Sequence, residues 1–112
     1  MNGKIVIAAY RAKPEKMEKL IEIRRIKREF MLNEGFYSPK DAIAMTSSID
    51  PDLVIEVFEW TSNEAISKAH SDSRVLGIWK KMDEICYEIG SRPDSFPEAG
   101  NSFPNFEPLD PY

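Results

Sequence analysis

One run of the chain, Leu53 to Trp60, sets two carboxylates among apolar neighbours. A strand repeats every two residues, so Glu56 and Glu59 face opposite ways. One is free to be exposed. The other, if buried, must be paired or hold its proton more tightly. A carboxyl of raised pKa suits a general base taking a proton from a phenol or an activated carbon. A salt bridge to a helix arginine or to a partner subunit is the structural alternative.

Trp60 ends the run and shares a face with Val54 and Phe58. It serves either as a pocket wall or as a core aromatic anchoring the next helix. His70, the single histidine, ends a short helix on its inner face, as a half-buried structural group or as a base or ligand contact. Tyr10 carries a hydroxyl that needs a partner if buried, either a ligand or the backbone. Arg24, Lys27 and Arg28 fall among the apolar positions of the first helix. They reach an acidic ligand at a pocket rim, snorkel to solvent, or pair with Glu56 or Glu59. Cys86 has no evident positive neighbour and reads as an inert buried thiol.

Other chemistries are disfavoured. One cysteine rules out an internal disulfide and, with the absence of a signal-peptide pattern at Met1–Ile5, points to a reducing cytoplasm. One histidine and one cysteine make a poor zinc set. The five glycines stand apart, and no phosphate-cradling or dinucleotide-binding motif is present. The net charge of −4 provides no global field for nucleic acid. No apolar run is long enough for a membrane span.

The elements that position these residues fit a single domain of 112 residues. Residues 4–11 predict a strand. Pro14 suits the first turn of a helix that stops at Gly35. Strands over 41–48 and 53–60 flank a turn at Asp50-Pro51-Asp52. Thr61 to Glu64 reads as a capping box opening a short helix. Ser71 to Ser73 then recaps a third helix, with Val75, Leu76, Trp79, Met82, Ile85 and Cys86 on one stripe. Beyond Gly90 the chain turns rich in proline and aromatics, and a docked tail with a short strand near 103–109 is expected. The order β-α-β-β-α-β is that of an α+β, ferredoxin-like fold with an antiparallel sheet. Both faces of strands one and three are apolar, while two helices cover only one. A second copy of the chain is the simplest cover for the other, with the tail crossing to that copy.

Glu56 to Trp60, then Ser62, Glu64 to Ile66, Ala69, His70, Val75 and Trp79, resembles the antibiotic-biosynthesis-monooxygenase-like (ABM) group of dimeric α+β barrels. The tail, with Pro97 to Ala99, Phe103, Phe106 and Glu107 to Asp110, is similar to the ending of an uncharacterised bacterial branch of that group. The resemblance covers nearly the whole chain. It implies a homodimer with sheets face to face and a pocket between each sheet and its helices. Some members are cofactor-free oxygenases of aromatic polyketides, and others degrade haem. The haem-degrading members use an asparagine on strand one, a tryptophan ending strand three and an axial histidine on the last helix. The matching positions here are Tyr10, Trp60 and Lys80, and lysine is no substitute for the proximal histidine.

The resulting expectation is a cofactor-independent monooxygenase acting on a small aromatic or apolar substrate. Trp60, His70, Glu56 and Tyr10 are its candidate catalytic residues, and Arg24, Trp79 and Phe58 its candidate ligand contacts. No cofactor, nucleic-acid or membrane partner is expected. The alternative is a non-catalytic module for ligand binding or dimer assembly.

Overall fold

The computed structural model describes residues 3–90, 97–100 and 106–109. Strands β1 (Lys4–Ala12), β2 (Ile43–Thr46), β3 (Leu53–Trp60), β4 (Cys86–Gly90) and β5 (Glu107–Pro108) form one antiparallel sheet in the order β4-β1-β3-β2-β5. Helices α1 (Met17–Asn33), α2 (Asn63–Ala69) and α3 (Ser73–Ile85) accompany it. This is the ferredoxin-like α+β architecture, extended by one strand. The parts of the expected tail at 91–96, 101–105 and 110–112 lie outside the described residues. None of the described helices is long and apolar enough to cross a membrane.

Register decides which side chains meet the helices. Val6 pairs with Phe58, Ala8 with Glu56 and Tyr10 with Val54, so these residues share a face. Packed on it, α1 buries Leu20, Arg24, Lys27 and Met31, positions three or four apart on one stripe. Two of those four are cations, an unusual content for a buried stripe. Ile26, off that stripe, is 52% exposed.

The buried apolar residues between sheet and helices form two clusters. One surrounds Tyr10, Leu20, Val54 and Met82. The second surrounds Met31, Tyr37, Phe58, Trp60, Ala65 and Val75. Ala8 and Trp79 touch both. On the other face, Ala9, Leu53 and Ile55 are covered by Met45 and Phe106. Ile5, Ile7 and Ile43 on that face remain 74%, 48% and 51% exposed.

Several expected boundaries move. Helix α1 starts at Met17, because Glu15 takes a left-handed φ of 65° that breaks the helix after Pro14. At its other end Gly35 has φ 77°, the conformation expected of a capping glycine. Strand β2 is shorter than 41–48. The cap of α2 is Ser62, whose hydroxyl accepts from Ala65 N. Thr61 instead donates to the carbonyl of Gly35. The largest correction concerns α3. It stops at Ile85, and Cys86 turns extended to open β4 against Ala9–Ala12. The fourth strand of the fold is thus the segment read as helix. The strand at 107–108 is a fifth, on the opposite edge.

Candidate functional site

A cavity of about 680 Å³ opens between the helix-facing side of the sheet and α3. Val6, Ala8 and Tyr10 of β1 form its floor with Phe58 and Trp60 of β3. Leu76, Trp79, Lys80, Met82 and Asp83 of α3 form the roof. Lys27 of α1, Tyr37 before β2 and His70 after α2 complete the walls. The space exists partly because Ala8 sits in mid-sheet, between the two clusters, where a longer side chain would fill it.

One wall is aromatic. Tyr37 lies 4.5 Å from Phe58, centroid to centroid, and 5.0 Å from Trp60 at an interplanar angle of 88°. Such offset and edge-on pairs fix the rings in place. At the rim, His70 meets the Trp79 ring edge-on at 4.9 Å. His70 Nδ1 is 2.7 Å from the carbonyl oxygen of Ile66. A carbonyl only accepts, so Nδ1 carries a proton, and in the neutral ring Nε2 is the nitrogen with the lone pair.

The inner end is charged. Lys27 Nζ donates to Tyr10 Oη at 2.7 Å and to Glu56 Oε1 at 2.8 Å. It also lies 4.9 Å from the Tyr10 ring centroid and 5.3 Å from that of Phe58, within cation–π range. Arg24 forms an ion pair with the other oxygen of Glu56. All three charged side chains are buried. Burial pushes the Glu56 carboxyl up, but the charges of Lys27 and Arg24 and the hydrogen bonds of Lys27 and Tyr10 outweigh it, leaving the pKa below the usual value. Burial first, and the negative Glu56 second, push the hydroxyls of Tyr10 and Tyr37 upward.

Of the expected residues, Tyr10, Phe58, Trp60, His70 and Trp79 come together around one space. Lys80, the position matched to a haem ligand, lines it as well. Two assignments need correction. Glu56 lies behind the lining, and its carboxylate, saturated by two cations, is a poor proton acceptor rather than a base of raised pKa. Arg24 is not among the lining residues, because its guanidinium is committed to Glu56 beneath them. The cation of α1 that lines the cavity is Lys27, three positions further along the same stripe.

Tyr37, which no sequence pattern separates from simple packing, also lines the cavity. It stands in a loop without periodicity, and only its bridge to Trp60 brings it to the wall. Glu59, on the far face, pairs with Lys40 at 3.2 Å and takes no part. The Cys86 thiol is buried, and that burial raises its pKa to about 11, which keeps it protonated. The described residues hold no group of three or more His, Cys, Asp or Glu side chains placed to bind a metal ion.

No family model and no curated protein matches the sequence. Solved structures do match the fold. SnoaB, a cofactor-independent oxygenase from Streptomyces nogalater, superposes with a TM-score of 0.67 at 8% identity, over 88% of this chain and all of that one. A protein from Chloroflexus aurantiacus, provisionally assigned as an antibiotic biosynthesis monooxygenase, gives 0.64 at 20% identity, over 80% of this chain and 87% of its own. A conserved protein from Methanosarcina mazei gives 0.65 at 19% identity, over 80% and 90%. The chain has the fold of the ABM group, carried by a sequence far removed from these examples.

Proposed function

We propose that the protein binds a small aromatic molecule in the cavity and oxidises it with dioxygen, without a cofactor. The observation that carries this reading is the aromatic wall that ends, at the rim, in His70, whose Nδ1 is held by the Ile66 carbonyl and whose Nε2 is left for a ligand. A bound ring would stack against Phe58 and Trp60, and its acidic C–H would approach His70. The proton passes to Nε2, and the carbanion left behind reduces dioxygen as the C–O bond forms. The peroxide takes its proton back from His70, and the second C–H proton of the same carbon leaves as the O–O bond breaks, releasing water and leaving one oxygen atom on that carbon as a ketone. The aromatic wall shields one side of the carbanion from quenching by solvent. The fold shared with SnoaB supports the same reaction class.

The test is oxygen uptake with an anthrone or a naphthoquinol, with no flavin, haem or metal added. Uptake equal to the substrate consumed is expected, and His70→Gln should slow it by roughly 100-fold. Trp60→Phe should weaken binding with a smaller effect on the rate. Ligand-induced stabilisation without oxygen uptake would favour the second reading, a non-catalytic binding module. That reading draws on the neutralised Glu56, which leaves His70 as the one base at the cavity among the residues nominated.

A second copy of the chain is the partner we infer for the exposed Ile5, Ile7 and Ile43. Sheet-to-sheet pairing through this face would leave each cavity on the outer side of its own sheet.

A further inference from the structure

Lys27 has one donor to spare. An ammonium carries three N–H groups. Among the described residues, Tyr10 Oη and Glu56 Oε1 accept two of them. The side chain is only 2% exposed, yet it lines the cavity. The charges around it do not balance either. Arg24 and Lys27 are both buried, and they share the single carboxylate of Glu56. Arg24 Nη1 is buried with no hydrogen-bond partner among the described residues. Tyr10 and Tyr37 stay neutral, since burial resists their ionisation. Among the described residues, the inner end of the cavity therefore carries one more positive than negative charge.

A buried charge without compensation is strongly unfavourable, and removal of one member of a buried set shows how much. A bound anion restores the balance. The rim adds no net field of its own, since Lys80 and Asp83 are both at the opening and oppose each other. An aromatic anion suits the rest of the lining, where Phe58, Trp60 and Trp79 stand among mostly apolar residues. A phenol is mostly neutral in water near pH 7, whereas a carboxylate arrives already ionised.

We propose that the cavity takes an aromatic monocarboxylate, with one carboxylate oxygen on the free N–H of Lys27 and the ring among Phe58, Trp60 and Trp79. This rests on the cavity being the ligand site, and it names the ligand class that site selects.

The experiment is calorimetric titration of the unmodified protein at pH 7 with 2-naphthoate, 2-naphthamide and 2-naphthol. The naphthoate should bind roughly tenfold more tightly than either neutral analogue. Lys27→Met should erase that preference, bringing the naphthoate down to the affinity of the neutral analogues. This variant retains the Arg24–Glu56 pair, and the comparison in the unmodified protein stands even if the variant does not fold. Lys80→Met should keep the preference. Equal affinity for all three ligands would overturn the carboxylate assignment while leaving the aromatic cavity intact. A preference that survives Lys27→Met would overturn the role of Lys27. Failure of all three to bind would overturn both the assignment and the ligand-binding reading beneath it.

Discussion

Glu56 ties α1 to the centre of the sheet through two cations, and its ionisation is coupled to folding. Its pKa in the folded chain lies below the value of an unfolded glutamate, about 4.3. The stability it contributes is therefore fully present above that unfolded value and is lost as pH falls through the folded one. Denaturant midpoints should hold steady from pH 7 to 5 and decline at lower pH. Glu56→Gln should lose on the order of 3 kcal/mol at pH 7, because Lys27 and Arg24 are left buried without a counter-charge. The same variant should show a shallower decline in acid. Urea unfolding of both proteins across pH measures this, and a parallel decline would place the acid sensitivity elsewhere. Glu98 is the competing group. It accepts from Ser47 Oγ and Ser48 N, and its pKa is also lowered despite burial.

At the scale of elements, caps and edges govern what the sequence made legible. Ser62 and Thr61 are adjacent hydroxyls, and both fit a capping pattern. Only the backbone angles tell them apart, with Ser62 extended at φ −170° and bonded to Ala65 N. Ser62→Ala should cost about 1 kcal/mol and lower the melting temperature by several degrees. Thr61→Ala should leave the start of α2 intact, and calorimetric melting separates the two. The order of strands and helices was readable because alternation in 53–60 and helical spacing in 73–85 are strong local signals. The end of α3 was not readable. Cys86, Tyr87 and Ile89 continue a helical stripe as well as they begin a strand, and the choice is made by the open edge of β1. The same holds for the site. Trp60, Tyr10 and His70 stood out by residue type, whereas Lys27 and Arg24 could be separated only by the exact rotation of α1 over β3.

For the whole molecule, the sheet's helix-free face has two halves. Phe106 and Met45 cover Ala9, Leu53 and Ile55, while Ile5, Ile7 and Ile43 stand open. If a second copy closes this face, Ile43→Lys should shift sedimentation from dimer to monomer without loss of secondary structure. An unmodified protein that sediments as a monomer at micromolar concentration would remove that partner. Because the cavity lies on the other side of the sheet, the same variant should retain ligand binding, with assembly and recognition separable by one residue.

The short strand β5 has a consequence for how the chain behaves in concentrated solution. Without it, β2 would present its outer row of amides and carbonyls to any extended peptide nearby. Glu107 and Pro108 occupy that row opposite Thr46 and Met45, and proline has no N–H with which to recruit another strand. Two residues thus act as an end-stop against sheet growth. A chain ending before residue 106 should keep its helices and nonetheless become prone to fibril formation, visible as a rise in thioflavin fluorescence on standing.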